Sequence, residues 1–228
     1  MKSEGTYAYY DERYNLQIPI IEVDAETMCP YVIANGKWAV KIAGLHGILR
    51  DLQEAQAIVS YLLNTDGVPP IVSVSMFKAF AVQYARCYTD NSVRRLKLDI
   101  RDVFKPEDIK VKLVHNEIMK MRMDYIAHAS DMDYESGAMV LYLDPVESNK
   151  QIIKQIYANN KFMDPTHILE ESMELCEFMI KYIMTRLEHF GKFYDDEIEK
   201  LDLDKIYADS FLPDINDCDI LFESDLME

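Results

Sequence analysis

Along the helical pattern that begins near Pro106, the polar residues His115, Glu117, Arg122, Asp124 and His128 are the ones whose chemistry stands out among the apolar positions. His115 and Arg122 are seven apart and nearly in phase on a 3.6-residue period, while Asp124 and His128, four apart, share one face. An aspartate one turn before a histidine can accept its ring N–H, which fixes the tautomer and raises the basicity of the other nitrogen. Arg122 can swing its long guanidinium toward the same helix end. Such a set suits the cleavage of RNA without a metal. Histidine supplies an acid or base near neutral pH, and arginine supplies a planar donor for the charge that builds on phosphate. The 2′-hydroxyl is then the internal nucleophile, so no serine or cysteine is required. Arg86, Tyr88, Arg94, Arg95 and His115 are the candidates for holding the RNA.

Other chemistries find little footing. The sequence has no P-loop, dinucleotide fingerprint, serine elbow or H-E-x-x-H helix. Cys29, Cys87, Cys176 and Cys218 are far apart and form no ligand cluster, which predicts reduced thiols in a cytoplasmic protein. Asp131, Asp133 and Glu135 alternate, but the glycine and distal glutamate of a calcium loop are not in register, so neither a metal nor another cofactor is expected. No apolar run is long enough to cross a bilayer, and no secretory signal opens the chain. The net charge of −16 is uneven: Phe193 to Glu228 holds 13 acids against Lys200 and Lys205, a net of −11, leaving −5 for the rest. That balance argues against tight, sequence-independent duplex binding, which needs clustered cations.

The elements that must position the candidate residues are predicted to be helices. Few glycines and prolines, 7 and 8 in 228 residues, disfavour an all-β chain. The organisation expected is an N-terminal arm over 1–37, a helical-bundle domain over 38–191 and an acidic C-terminal extension over 192–228. The arm carries extended pieces at 18–23 and 31–33 and a turn at Asn35-Gly36. Apolar residues from Val40 to Leu62 recur every three or four positions and predict one long amphipathic helix. A second runs from Val72 to Tyr88 after Pro69-Pro70, and a short basic one from Val93 to about Val103. Lys105-Pro106-Glu107-Asp108 starts the helix of the polar set, which continues to about Ala129. Ala138 to Leu143 reads as a short strand or a buried extended segment. Asp164-Pro165 opens the last strong helix, and Gly191 is its expected end. Phe211, Leu212, Ile215, Ile220, Leu221, Phe222 and Leu226 are spaced among the acids of the extension, so residues 193–228 are expected to dock, on a protein partner or on this same chain.

Arg122-Met123-Asp124-Tyr125-Ile126-Ala127-His128 resembles the Arg-x(4–6)-His signature of HEPN proteins, the helical group that includes RNases of toxin–antitoxin, abortive-infection and CRISPR systems. The Ile-Ala-His ending, preceded some forty residues earlier by an aromatic helix ending Tyr84-Ala85-Arg86-Cys87-Tyr88, is similar to HEPN proteins of phage defence. The resemblance covers roughly Trp38 to Phe190. It implies an all-α fold, a HEPN-like bundle with only minor extended segments at the N-terminus and near 138–143. It also implies a homodimer in which Arg122 and His128 of both chains meet in one cleft that binds and cuts single-stranded RNA. Met123 stands directly after the arginine, where active members usually carry a polar residue, with Asp124 one place later. The alternative is a non-catalytic helical protein that keeps the bundle for dimerisation or partner binding, to which 13 methionines are suited.

Overall fold

The computed structural model describes residues 6–24, 27–90, 95–123, 137–143, 145, 151–159, 165–214 and 217–221. Helix is the main structure, and the chain divides into two compact units: residues 37–194, and residues 1–36 together with 195–228. The three compositional segments thus collapse into two, because the ends of the chain share a unit.

In the helical unit, α1 (Lys37–Asn64) and α2 (Pro70–Ala85) form an antiparallel pair joined by a short turn. Gly67 has φ +73 there, a left-handed conformation that glycine adopts without a Cβ penalty. Pro70 fits the first position of α2, where no backbone N–H partner is lost. The inward stripe of α1, Ile48, Leu52, Ala55 and Val59, is fully buried with Phe77, Phe80 and Tyr84 of α2. Each such aliphatic side chain contributes about 1.5–3 kcal/mol by leaving water. The basic stretch does not form the predicted helix. Arg95 takes φ +53, residues 95–99 run without regular structure, and only α3 (Ile100–Val103) is helical, started by Asp99 accepting the Arg101 backbone N–H at 2.9 Å.

α4 (Ile109–Met121) begins three residues later than Pro106, since Asp108 turns its carboxylate back to the Lys105 N–H at 2.9 Å. Val114, His115, Ile118 and Met121 face inward. α5 (Leu169–Ile198) follows a short 3-10 turn at Pro165–Ile168 and buries Leu175, Cys176, Met179 and Ile183. Lys110 of α4 pairs with Glu174 of α5 at 2.6 Å, and Phe104 stacks on Phe178 with centroids 5.7 Å apart. Gly191 does not end α5. A glycine in a helix interior costs only about 1 kcal/mol, and Trp38 holds both sides of it by stacking on Phe190 and Phe193 at 5.4 and 5.1 Å. The stretch near 138–143 is a strand, β5 (Gly137–Leu143), paired antiparallel with β6 (Ile152–Asn159). Met139, Leu141, Tyr142 and Leu143 are exposed, so this is not a buried segment.

In the terminal unit, β1 (Thr6–Asp11) lies between β2 (Leu16–Pro19) and β7 (Cys218–Leu221), antiparallel to both, while β3 (Glu22–Asp24) and β4 (Thr27–Met28) form a small hairpin. The extended N-terminal residues expected from composition thus find a partner strand from the acidic extension. Asp11 is buried and accepts from the Arg13 backbone N–H at 3.0 Å, the Arg13 side chain at 2.6 and 2.9 Å, and Tyr31 Oη at 2.8 Å. The Arg13 guanidinium holds its carboxyl well below the usual range. Phe211 packs on Tyr9 and Tyr31, with Arg13 over its ring at 4.7 Å, and exchanges both backbone hydrogen bonds with Tyr31. The short α6 (Leu203–Asp209) is capped by Asp202. No helix among the described residues is long and apolar enough to cross a membrane.

Candidate active site at the end of the fourth helix

α4 positions the sequence-predicted residues by burying its apolar stripe against α2 and α5, which fixes which side of it faces out. Arg122 is the C-cap residue, half-buried, where the backbone passes into a π-type turn at Arg122 and Met123. Wider turns of this kind recur at functional sites. Its Nη1 lies 3.1 Å from the Met123 sulfur, a weak acceptor, and it makes no ion pair among the described residues. Asp124 and His128 lie outside the described residues, as do Arg94 and the acids at 131, 133 and 135.

His115 corrects its expectation. It was assigned to the RNA-holding surface, but it is fully buried and packs against Tyr88 and Phe104 with ring centroids 4.6 and 4.9 Å away. A side chain with no solvent access offers nothing to a polynucleotide. Tyr88 is corrected with it. Its hydroxyl points inward, 3.2 Å from Tyr84 Oη and 3.4 Å from the Met179 sulfur, and its ring covers His115 rather than presenting a stacking face.

The protons of this buried chain can be assigned by counting donors. Tyr88 gives its one hydroxyl proton to Met179. Tyr84 must therefore be the donor to Tyr88, which leaves the Tyr84 oxygen only as an acceptor toward His115 Nδ1 at 2.7 Å. His115 is thus the Nδ1–H tautomer, and its buried Nε2, which has no partner, carries a lone pair and no proton. An unmet acceptor is cheaper than an orphaned N–H. Adding a proton would place an unpartnered charge in the core, so burial, aided by the nearby Lys112 charge, pushes the His115 pKa down to about 4. Burial also raises the phenol pKa of Tyr84 and of Tyr88 well above the ordinary value.

Arg86 is exposed but committed: Nη1 donates to Gln83 at 3.0 Å and lies 3.7 Å from the buried Asp51 carboxylate, which Gln83 also reaches at 3.2 Å. It joins α2 to α1 and is not an uncompensated cation. Arg95 is exposed, held in its left-handed backbone turn. Arg122 and Arg95 are therefore the residues of the described set left on the surface without a carboxylate partner; the structure does not gather the full set into one cleft. Among the described residues no group of three or more His, Cys, Asp or Glu side chains could hold a metal.

The sequence reading missed a cavity of about 210 Å³ elsewhere in the helical unit, lined by Lys41, Lys97, Tyr182, Arg186 and Phe190 among others. A signal for it existed: Arg186 and Phe190 are one turn apart on α5, and Trp38 and Lys41 are a turn apart on α1, which puts a cation beside a ring twice. No family profile, no curated protein and no solved structure matches this chain.

Proposed function

We propose that the helical unit is a metal-independent endoribonuclease of the HEPN type acting on single-stranded RNA in a defence or toxin–antitoxin setting, with Arg122 and His128 as its chemical pair. The observation that carries this reading is the state of Arg122. A guanidinium sits half-exposed at the end of a well-packed helix with only a thioether as its partner among the described residues, although satisfied pairing is the norm for a partly buried cation. A phosphate would be a far better acceptor, and a fork of N–H groups suits its paired oxygens. In the reaction His128 takes the proton of the 2′-hydroxyl. The 2′-oxygen attacks phosphorus, the bond to the 5′-oxygen breaks, and that oxygen leaves with a proton from an imidazolium. The products are a 2′,3′-cyclic phosphate and a 5′-hydroxyl. Arg122 donates to the non-bridging oxygens as their charge grows, and Asp124, one turn before His128 in the predicted helix, orients the imidazole.

Purified protein incubated with single-stranded RNA in EDTA tests this. Cyclic-phosphate ends are expected, with loss of at least about 100-fold in rate for Arg122→Ala and for His128→Ala, the range of general acid–base and oxyanion contributions. Unchanged cleavage in either folded variant removes the assignment.

One observation favours the non-catalytic alternative, dimerisation. Met139, Leu141, Tyr142, Leu143, Ile152 and Ile153 on β5 and β6 are all exposed, and Lys154 is the one charged residue in the two strands. In a chain of net charge −16, a largely apolar ribbon without an acid is where two copies meet with least repulsion.

A further inference from the structure

The cavity missed in the sequence is built from three parts of the helical unit. Lys41 and Leu45 come from α1, Leu96 to Asp99 and Asp102 from the segment that runs into and through α3, and Tyr182, Arg186 and Phe190 from α5. Phe190 is buried and forms a wall on which two cations converge: Lys41 Nζ lies 5.0 Å and Arg186 Cζ 4.7 Å from its ring centroid. Lys41 is also 5.0 Å from the Trp38 ring, which itself stacks on Phe190. Two like charges brought to one ring repel each other, and cation–π attraction of about 0.5–1 kcal/mol each offsets only part of that.

The charges around them do not cancel them. The Asp99 carboxylate is occupied on both oxygens by Arg101, at 2.6 and 3.0 Å. Lys97 is paired with Asp90 at 2.8 Å, and Asp90 does not line the cavity. Lys41 and Arg186 have ring contacts but no ion pair among the described residues. Asp102 remains as the one acid of the wall without an ion pair there, and its charge together with that of Arg186 is felt at Tyr182. The space is small, below the ~300 Å³ at which drug-sized pockets begin, so it encloses one small group and leaves the rest of a ligand at its mouth.

We infer that this cavity is a binding site for a nucleoside monophosphate unit, with Lys41 and Arg186 on the phosphate, the half-buried Tyr182 ring against the base, and Asp102 accepting from the sugar hydroxyls. Each part of that ligand has one matching group in the wall or at its mouth. An anion beside Lys41 and Arg186 offsets their repulsion, the Tyr182 ring offers a stacking surface to any base, and an unpaired carboxylate is an acceptor for hydroxyl donors. A simple inorganic anion would satisfy the cations but not the acid or the Tyr182 ring. The unit comes either as a free nucleotide or as one residue of an RNA strand. The inference stands apart from the nuclease reading, since none of its residues belongs to the Arg122 set.

Trp38 is the only tryptophan of the chain and shares Lys41 with the cavity, so its fluorescence reports occupancy. Titration of the full chain with uridine or adenosine monophosphate, followed by Trp38 emission and calorimetry, is expected to saturate with a Kd at or below about 1 mM. Orthophosphate is expected to bind at least about tenfold more weakly, and Lys41→Met to weaken the nucleotide about tenfold. Arg186→Lys and Lys97→Ala repeat the test with less disturbance of Phe190, and Asp102→Asn is expected to lower the preference for nucleotide over phosphate. A short single-stranded RNA that binds more tightly than the mononucleotide identifies the strand as the source; the reverse order identifies the free nucleotide, and both uphold the site. No saturable response to nucleotide, equal binding of orthophosphate, or wild-type affinity in Lys41→Met and Arg186→Lys overturns it.

Discussion

Replacing His115 by phenylalanine should flatten the acid limb of the stability curve of the helical unit. His115 is fully buried, its Nδ1–H is spent on Tyr84, and its Nε2 faces no partner. In the unfolded chain the ring titrates near 6.5; in the folded protein it does so at about 4. Between those values the unfolded chain binds a proton that the folded one refuses, so acidification favours unfolding. The neutral ring's advantage is complete above pH ~6.5 and is lost as pH falls toward ~4. Over that window the loss is at most about 3 kcal/mol, of which about 2 kcal/mol is gone by pH ~4.5. Asp99 and Asp11, whose carboxyls Arg101 and Arg13 hold low, lose their advantage only below their ordinary titration range, and they do so in both proteins, so they cancel in the comparison. The assay is urea unfolding read by Trp38 emission at pH 7 and pH 4.5, for wild type and His115→Phe. Phenylalanine keeps a ring against Tyr88 and Phe104 while removing the nitrogens, and it leaves the Tyr84 oxygen short of a donor, a cost of about 1 kcal/mol at both pH values. An identical drop in stability from pH 7 to pH 4.5 in the two proteins would refute the burial argument.

Two further outcomes follow from backbone and surface features. Gly67→Ala should destabilise the helical unit by about 1 kcal/mol in the same urea assay, because φ +73 strains any residue with a Cβ; nothing lies within 4 Å of the added atom, so packing adds no cost and a null result would refute the conformational argument. Leu141→Lys with Leu143→Lys should separate the proposed dimer into monomers in sedimentation analysis while leaving the stability within about 0.5 kcal/mol of wild type, since both positions are solvent-exposed; unchanged sedimentation would rule out the β5–β6 ribbon as the place where copies meet.

The long helices were legible because their apolar spacing is a local property. α1 and α2 follow from residues three and four apart, and the Asn64 to Pro70 break from its own turn chemistry. α5 was misjudged at Gly191 because what carries it on is Trp38, some 150 residues away and therefore silent in a local pattern. The same blindness applied to His115. Its polarity flagged it, but the partners that turn a polar residue into a core residue, Tyr84 and Tyr88, sit on another helix. Arg86 read as a free cation because Asp51 is a full helix away. Arg122, nearly in phase with the buried His115, is half-buried at the point where α4 ends. The cation–ring cavity was invisible for a different reason: three segments contribute to it, and no one of them carries enough of the pattern to stand out.

The pairing of β1 with β7 has a consequence for how the protein is made. Thr6 meets Leu221, so the first strand leaves the ribosome roughly 200 residues before its second neighbour exists, an interval on the order of 10–40 s at bacterial or eukaryotic elongation rates. Until then one edge of β1 is an open row of amides and carbonyls beside the aromatic residues that later hold Phe211, the type of surface that recruits strands from other nascent chains. The helical unit, whose contacts are nearer in sequence, can close first. Fast synthesis or a chaperone that shields the first thirty residues should therefore raise the yield of native protein more than any stabilisation of the helices would.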